Sequence, residues 1–581
     1  MKKNSYILGI NDGHLATAAL AKDGEVIACV SEERFTGIKN QPGIPDQSIK
    51  YCLDYANISA DDVDLVVFGG IMLPPTEKNQ IDKSLFYDSL KPVLTAMRLS
   101  SVSLPIFRSI EEAVYPVFFD VLSPGIQNKR IQKLQQQYDF ENEKITFVDH
   151  HLCHAYSALF TSGFADLNKP LLIFTCDGEG DKLSATVNVF KDGKFKTISR
   201  TSMTNSLGNL YRSVTKYLGM KPLEHEYKVM GLAAYVEDRK ADDLYRKMKD
   251  LIVVDNKTLQ IKSAVNSQLF KLGYLDRFFK EYRFDYIASA TQRITEEVLS
   301  NWISTAIRKT KIENILLSGG VFMNVKANQR IAEIDNVKTL FIMPSCGDES
   351  NAIGAAYWGH RSLTGQNPRP PKSLYLGPDF GDTEIKREIK GKKYKITVPK
   401  DMEKKIAQIL ALGGIVARFS GRSEWGARAL GNRSILTDAS RLDAISVINK
   451  MIKSRDFWMP FAPAIMEPYS KKYIINPKDI KAPYMIITFD TTEKGRQDLA
   501  AGMHQYDKTV RPQIINKETN YKYYKILEEF SKITGRHGIL NTSFNLHGSP
   551  IVGTPADALN TFENSGLKYL ALGKYLIQKT K

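Results

Sequence analysis

The chain contains few cysteines and no long apolar run. Five cysteines lie among 581 residues without regular spacing, which excludes a small secreted disulfide framework. No stretch of 18 apolar residues occurs, and Met1-Lys2-Lys3-Asn4-Ser5 lacks the apolar core of a signal peptide, so we expect a cytoplasmic protein with no membrane partner. The 43% hydrophobic content excludes a disordered chain.

The net charge of +16 is unevenly distributed along the chain. Residues 366–581 carry 36 Lys and Arg against 21 Asp and Glu, whereas residues 1–365 carry 44 against 43. The change falls near Pro370-Pro371, where adjacent prolines among polar residues indicate a linker. We therefore predict one domain over 1–365, a linker over 366–372 and a basic domain over 373–581. A basic domain also permits a nucleic-acid partner.

Two N-terminal segments resemble each other. In each, a β-rich run leads to an Asp-Gly pair, at Asp12-Gly13 and Asp177-Gly178, and then to a strand and a Lys-Asp-Gly hairpin turn. A duplicated hairpin sheet with a tight, phosphate-facing Asp-Gly turn in each copy is typical of an actin-like nucleotide-binding fold. Helices are predicted over 45–55, 290–309 and 349–359, and a helical insertion over 82–136.

Three of the nine histidines lie within five residues, directly after a predicted strand. His150 and His154 are four residues apart, so on a helix both imidazoles leave the same face and can share one metal ion. His151 points roughly 100° away and is expected to be structural. Asp177 and Asp348 follow other predicted strands and supply carboxylates. Two histidines with two aspartates suit Fe(II), Mn(II) or Zn(II); the alternative is a purely structural histidine pair.

Glycine turns supply the nucleotide signals. Gly319-Gly320 separates a predicted strand from a helix, where backbone N–H groups can approach an anion at the helix N-terminus. Lys228, close to Gly231, can reach a phosphate. Neither segment is a P-loop or a Rossmann fingerprint.

The basic domain concentrates arginines among glycines. Arg422, Arg428 and Arg433 lie within a span that also holds three glycines, and guanidinium groups bind phosphate or carboxylate oxygens in pairs. The alternative, surface salt bridges, fits Arg433 better than Arg422. Further candidates for a pocket that binds a small anion are Lys453, Arg455, Arg511, Asn541, Ser543 and Asn545.

Together these motifs resemble the O-carbamoyltransferases of the NodU/CmcH type. The likeness runs nearly end to end and is most specific in the arginine-rich motif Gly421–Leu436 and in Leu540-Asn541-Thr542-Ser543-Phe544-Asn545. It implies an α/β protein with a duplicated actin-like N-terminal domain and a YrdC-like C-terminal domain. It also implies that carbamoyl phosphate and ATP, with Mg(II), form carbamoyl-adenylate in the basic domain. A metal site, Fe(II) by preference, then supports attack by an acceptor hydroxyl.

The resemblance assigns residues to each step. The metal ligands would be His150, His154, Asp177 and Asp348. The carbamoyl phosphate site would comprise Arg422, Arg428, Lys453, Arg455, Arg511, Asn541, Ser543 and Asn545. The nucleotide would contact Gly178, Lys228, Gly319, Gly320 and Asn324. Arg422 and Lys228 are also candidate catalytic residues, and His14 is the candidate general base for the acceptor hydroxyl.

The sequence departs from the family pattern in places and leaves alternatives open. Leu15 follows His14 where the family has Asp, and Met459 stands where it has Arg, a contact that Arg418 could supply instead. The acceptor is expected to be a natural product, a sugar or a hydroxymethylated nucleotide or DNA. Alternatives are a tRNA threonylcarbamoyl-type enzyme and a non-enzymatic actin-like scaffold. A homodimer is compatible with the sequence.

Overall fold

The structure, a computed structural model, describes residues 4–72, 95–102, 106–166, 169–453 and 456–580. The chain forms two compact units. Unit 1 comprises Met1–Cys29 and Asn40–Pro371, and unit 2 comprises Val30–Lys39 and Lys372–Lys581. The segment Val30–Lys39 thus joins the unit that the rest of the chain forms more than 300 residues later, which reading along the sequence does not reveal.

Unit 1 contains two five-stranded sheets with the same strand order. The first has the order β3-β2-β1-β4-β5 and the second the equivalent order β8-β7-β6-β11-β12. In both sheets the central strand pairs antiparallel with the strand that follows it in sequence and parallel with the strand on its other side. The predicted duplication of the sheet is therefore confirmed. The strands are β1 (Tyr6–Asn11), β2 (Thr17–Lys22), β3 (Glu25–Ser31), β4 (Leu65–Gly69), β5 (Ile145–Val148), β6 (Leu171–Gly180), β7 (Leu183–Lys191), β8 (Lys194–Ser202), β9 (Ile252–Val254), β10 (Ile261–Ser263), β11 (Asn314–Ser318) and β12 (Thr339–Ile342).

The structure confirms two of the predicted Asp-Gly hairpin turns and contradicts a third predicted turn. Asp23-Gly24 and Asp192-Gly193 have positive φ at both residues, as type I′ turns require, and both hairpins form as predicted. The tight turn predicted at Asp177-Gly178 is wrong. Strand β6 continues through this pair, its register with β7 shifts between Cys176 and Gly180, and the chain reverses at Asp181-Lys182 instead.

Helices cover the sheets closely. A Cβ atom at Gly354 would lie 1.9 Å from the Cys153 carbonyl oxygen, so this glycine lets the helix Glu349–Thr364 approach the helix His150–Thr161 directly. Other helices in the described part of unit 1 include Asp46–Ala56, Ile106–Gln135, Leu207–Tyr217, Glu226–Ala233, Asp238–Met248, Asp276–Phe279, Phe284–Thr310 and Val325–Glu333.

Where the predicted insertion is described it is helical, over 95–100 and in the 30-residue helix Ile106–Gln135; 82–94 and 103–105 lie outside the described residues. Its Arg130 is 1% exposed and forms a two-pronged ion pair with Asp12, with N···O distances of 2.8 and 2.6 Å. The guanidinium also lies over the rings of Phe68 and Phe147. The insertion is therefore fixed to the first sheet by a buried charge pair.

Unit 2 is built on one eight-stranded sheet of order β13-β22-β21-β14-β15-β20-β16-β19. The helices Met402–Ala411 and Tyr521–Thr534 pack on it around a core that includes Leu410, Phe530 and Ile539. Its strands are β13 (Lys395–Thr397), β14 (Val416–Phe419), β15 (Arg433–Asp438), β16 (Ala462–Met466), β17 (Phe489–Asp490), β18 (Thr509–Val510), β19 (Gln513–Ile515), β20 (Gly538–Ser543), β21 (Tyr569–Leu572) and β22 (Tyr575–Gln578). Its other helices are Glu33–Thr36, Asp382–Ile389, Asp443–Ile448, Glu493–Asp498 and Pro555–Glu563. Within the described ranges, neither unit has a helix with the length and apolarity to span a membrane.

Candidate functional site

Unit 1 brings together the two histidines and two aspartates that the sequence singles out. His150 and His154 occupy the first two turns of the helix His150–Thr161, Asp177 lies near the end of β6, and Asp348 caps the helix Glu349–Thr364. One ligand atom from each residue lies within 4.8 Å of every other. The two imidazoles are buried, whereas both carboxylates are 17% exposed, so the cluster can be reached from solvent.

The donor set fits a divalent metal ion. The two Nε2 atoms are 3.1 Å apart, they lie 3.2 and 3.3 Å from an Asp177 Oδ2, and they lie 3.6 and 3.7 Å from an Asp348 Oδ1. Metal–ligand bonds of about 2.1 Å place neighbouring ligand atoms about 3.0–3.4 Å apart, close to these spacings. His150, His154, Asp177 and Asp348 would hold the ion.

One helix supplies both a ligand and the groups that orient the imidazoles. Ser350 Oγ lies 3.0 Å from His154 Nδ1, and the Asn351 amide lies 3.2 Å from His150 Nδ1. A histidine that binds a metal through Nε2 carries its proton on Nδ1 and needs an acceptor there. Rotating the Asn351 amide by 180° would offer His150 its Oδ1, a buried atom that lacks a hydrogen-bond partner among the described residues.

The electrostatics of the cluster favour a cation. Burial opposes charge on His150, but the carboxylates of Asp348 and Asp177 outweigh it and raise the pKa of His150 to about 10. Burial likewise opposes charge on Asp177, yet hydrogen bonds from both histidines hold its pKa well below the usual value. Burial lowers the pKa of His151 to about 3, and its Nδ1 lies 2.8 Å from Thr175 Oγ1, as expected for a neutral structural histidine.

A sharp turn that sequence reasoning missed positions the histidine helix. Asp181, with φ of 45°, accepts hydrogen bonds from the backbone N–H groups of Ile71, Met72 and His150. A carboxylate at a helix N-terminus satisfies an otherwise unpaired donor and interacts favourably with the helix dipole. Because Asp181 lies in an unexpected turn, a local pattern could not identify it.

The glycines predicted to contact a nucleotide lie near Asp177, one of the four candidate metal ligands. A Cβ atom at Gly320 would lie 2.9 Å from Asp177 Oδ1, so this residue of the Gly319-Gly320 turn abuts the carboxylate. Gly178 donates its backbone N–H to the same oxygen at 2.7 Å. Gly178 and Gly320 therefore both contact one carboxylate of the cluster.

The other predicted residues of unit 1 have distinct placements. Asn324 caps the helix Val325–Glu333 and exchanges two amide hydrogen bonds with Gln292, at 3.0 and 2.9 Å. Lys228 lies in the first turn of the helix Glu226–Ala233. His14 lies in the loop after β1, held by hydrogen bonds from Asn11 to the carbonyl groups of His14 and Leu15. Among the described residues, no hydrogen bond joins the His14 ring to the metal ligands.

In unit 2, three of the predicted anion-binding residues converge. The Lys453 side chain is 2% exposed, and its Nζ donates to Ser543 Oγ at 3.1 Å and to the Asn545 carbonyl at 3.2 Å. Ser543 donates in turn to Asn545 Oδ1 at 2.7 Å. A buried ammonium held by hydroxyl and carbonyl oxygens in this way is a candidate contact for an anion.

The arginine-rich loop is fixed by buried groups. Glu424 Oε1 accepts the backbone N–H groups of Leu430 and Arg433 at 2.6 and 3.2 Å. Arg422 donates to the carbonyl groups of Leu376 and Gly377 and is half-buried. The expectation that Arg433 forms surface salt bridges is wrong, because Arg433 is fully buried, donates to four backbone carbonyl groups and lies 3.6 Å from the Phe419 ring centroid.

The remaining predicted residues of unit 2 contribute differently. Asn541 is buried and donates to the Ala429 carbonyl group and Gln513 Oε1, which ties β20 to the arginine loop. Arg511 donates to the Met485 carbonyl group at 3.3 Å. Arg428 is half-buried, and Arg455 lies outside the described residues. Arg418, the suggested replacement for a missing arginine, is buried and donates to the Gly431 carbonyl group and Asn432 Oδ1.

Arg34 is a further residue of unit 2 to which the sequence assigned no role. It is 6% exposed and donates to the carbonyl groups of Gly426 and Ile551 at 2.7 and 3.3 Å. It thereby joins the arginine loop to the segment after β20. Its role could not be predicted from the sequence, because its partners Gly426 and Ile551 lie about 400 and 500 residues further along the chain.

Comparisons with known protein families match most of the chain. The protein-family model described as carbamoyltransferase N-terminus matches residues 6–357. The family model described as carbamoyltransferase C-terminus matches residues 407–579. The chain belongs to the carbamoyltransferase family. It is 32% identical to nodulation protein NolNO of Sinorhizobium fredii, over 99% of this chain and 81% of that protein. It is 30% identical to an uncharacterized Methanocaldococcus jannaschii protein, over 99% of this chain and 100% of that protein.

A solved structure gives weaker information. Component A of the (R)-2-hydroxyglutaryl-CoA dehydratase of Acidaminococcus fermentans aligns with 62% of this carbamoyltransferase over 98% of its own chain. The two share 16% sequence identity, and the TM-score is 0.32. A TM-score this low does not establish a common fold. The resemblance to carbamoyltransferases is therefore confirmed by the family models and sequence relatives, which show that the chain is a carbamoyltransferase enzyme.

Proposed function

We propose that this carbamoyltransferase is ATP-dependent and works in two steps, one in each unit. In unit 2, carbamoyl phosphate, ATP and water yield carbamoyl-adenylate, inorganic phosphate and pyrophosphate. In unit 1, an acceptor hydroxyl oxygen bonds to the carbamoyl carbon and AMP leaves. The observation that carries the proposal is the presence of two separate centres in one family member: a buried lysine cluster and a His-His-Asp-Asp cluster.

The proposed chemistry of unit 2 rests on the buried lysine. Lys453 Nζ contacts the Ser543 hydroxyl and the Asn545 carbonyl oxygen, and we propose that the same ammonium binds a phosphate or carboxylate oxygen of the substrate. Arg422, Arg428, Arg455 and Arg511 are proposed to complete the carbamoyl phosphate site, with Ser543 and Asn545 orienting Lys453. Asn541 acts by holding the arginine loop in place.

The transfer step uses the residues around Asp177. When bound to the four ligands, a divalent ion supplies Lewis-acid polarisation of a carbonyl or phosphate oxygen. A phosphate is proposed to bind the backbone of Gly178 and of the turn Gly319-Gly320, whose Gly320 abuts the Asp177 carboxylate. Lys228 and Asn324 are proposed to hold the nucleotide, and His14 to accept the proton of the acceptor hydroxyl.

The fold assignment and cofactors belong to the same proposal. The repeated sheet order of unit 1 supports an actin-like domain, and the mixed eight-stranded sheet of unit 2 is the proposed YrdC-like domain. Fe(II) is the proposed metal, with Mn(II) and Zn(II) as alternatives, and Mg(II) accompanies ATP. The proposed acceptor is a small molecule with a hydroxyl group.

A direct assay tests the proposal. The full-length protein is incubated with carbamoyl phosphate, ATP, Mg(II) and either Fe(II) or Mn(II), without an acceptor, and the products are analysed by mass spectrometry. Carbamoyl-adenylate should appear together with pyrophosphate. If ATP is not cleaved, or is cleaved to ADP and phosphate alone, the proposed adenylate route is wrong.

A further inference from the structure

Two adjoining cavities lie along β8, the edge strand of the second sheet of unit 1. The first, about 330 Å³, is lined by the insertion helix, the turn at 182–183 and residues 200–205. The second, about 500 Å³, is lined by residues 197–200, 257–260 and 309–310. They share Arg200 and Gln260. Both are depressions open to solvent, so a bound molecule would keep part of its surface exposed.

Positive charge dominates the lining. The cations are Lys182, Arg200, Lys257, Lys262 and Lys309. In the part of the chain that the structure describes, Lys182 pairs with Asp120, whereas the other four have no carboxylate within 4.0 Å. This concentration is local, because residues 1–365 as a whole are nearly neutral.

The two carboxylates in the lining are already engaged. Glu111 accepts from Arg98 Nε at 2.7 Å and from Asn266 Nδ2 at 2.6 Å. Glu112 accepts from Arg108 Nε at 3.2 Å and Thr204 Oγ1 at 2.5 Å. Both lining carboxylates are therefore paired with other side chains, and neither is paired with Arg200, Lys257, Lys262 or Lys309. These four cations can attract an anion to the groove.

The first cavity shares the hairpin tip with the metal cluster. Lys182 lines the cavity, and its neighbour Asp181 accepts the backbone N–H of His150 at 2.8 Å. Gly180, on the other side of the tip, packs against the His150 imidazole, where a Cβ atom would lie 2.3 Å from the ring. The turn Asp181-Lys182 thus contributes both to the lining of the cavity and to the position of the helix that carries His150.

We propose that the two cavities form one basic groove that binds the phosphate groups of the acceptor. This inference rests on the proposed function and names its substrate class: a small phosphorylated compound that carries a free hydroxyl group. Tyr115 is the one aromatic residue among the lining residues, so the groove offers little surface for stacking the bases of a nucleic acid.

A binding experiment on the full-length protein tests the groove. Fructose 1,6-bisphosphate serves as the probe and fructose as its uncharged match, with hydrogen–deuterium exchange read at 197–203 and 257–263. The bisphosphate should protect both segments, and fructose should not. The variant Arg200→Gln/Lys262→Gln should bind the bisphosphate at least tenfold more weakly. The control Lys194→Gln/Lys196→Gln removes two exposed lysines from the same strand outside the groove and should bind normally.

Three results would overturn the inference. They are equal protection by fructose, no protection of these segments at millimolar bisphosphate, and equal weakening in both double variants. Tighter protection by a single-stranded 12-nucleotide DNA than by the bisphosphate would replace the small acceptor with a nucleic acid. Carbamoyl-adenylate formation without an acceptor is measured in parallel, so a failure of the two-step reaction is distinguished from a failure of the groove.

Discussion

Ser350 and Asn351 act on the metal cluster through the two imidazoles. Each lies at hydrogen-bond distance from the Nδ1 atom of one histidine, 3.0 Å for His154 and 3.2 Å for His150. Both lie in the first turn of the helix Glu349–Thr364, directly after Asp348. The start of this helix therefore positions the candidate ligand Asp348 and orients the imidazoles of His150 and His154. Such outer contacts fix the tautomer and the basicity of the ligand.

The substitution Ser350→Ala tests this role. It removes the nearer of two serine hydroxyl groups at His154 Nδ1, while Ser318 Oγ remains at 3.4 Å, so we expect the affinity for Fe(II) or Mn(II) to fall about tenfold, the low end of the effect of such outer contacts. Metal content after competition with a chelator provides the measurement. Ser48→Ala, which changes a buried serine in another helix of unit 1, serves as the control. Equal metal retention by the two variants would refute the role.

At the scale of elements, the arginine loop depends on a glycine in a left-handed conformation. Gly431 has φ of 113°, and a Cβ atom there would lie 2.4 Å from the Tyr523 ring, which is buried in the core of unit 2. The loop therefore packs its backbone directly on the helix Tyr521–Thr534. Glu424 holds the same loop from the inside through two backbone N–H groups.

Gly431→Ala and Gly535→Ala separate backbone strain from crowding. Gly535 also has positive φ, 73°, but no atom lies within 4 Å of its added Cβ. Its substitution should cost about 1–2 kcal/mol of unfolding free energy, the left-handed penalty for alanine. Gly431→Ala should cost about 1–3 kcal/mol more through overpacking. Urea unfolding measures both, and equal losses would show that the contact with Tyr523 does not constrain the loop.

The sequence predicts some of these elements and fails at others for identifiable reasons. Helical periodicity was enough to place His150 and His154 on one face, and Asp-Gly turn chemistry was enough to place two hairpins. The bulge that moves the β6–β7 turn to Asp181 has no local signature. The burial of Arg433 depends on carbonyl groups of Ser420 and Pro378 that face it only in the folded unit.

At the scale of the whole molecule, the positive charge has two different locations. Most of the surplus belongs to residues 366–581, where Lys453 and the arginine loop account for a small part of it. The groove along β8 is basic within an otherwise nearly neutral unit. Charge that serves small phosphate ligands does not require a nucleic-acid partner.

Salt dependence tests that reading. If the surplus positive charge of unit 2 serves only to keep its surface hydrated, binding to duplex DNA should be weak. The dissociation constant should then be above about 10⁻⁶ M at physiological salt, in the range of non-specific contacts. Fluorescence anisotropy with labelled DNA measures this dissociation constant between about 50 and about 200 mM salt, the range in which counterion release is evident. Tight binding whose logarithm falls steeply with the logarithm of salt would instead establish a polyanion partner.

We infer that two chemically separate centres perform successive steps. To separate the steps, carbamoyl-adenylate formed without an acceptor is measured by mass spectrometry in Lys453→Met and His154→Ala. Lys453→Met should abolish the adenylate, whereas His154→Ala should lose the metal but still form the adenylate. Adenylate formation by Lys453→Met at the unmodified rate, or its loss in a folded His154→Ala protein, would contradict the division of the reaction between the two units.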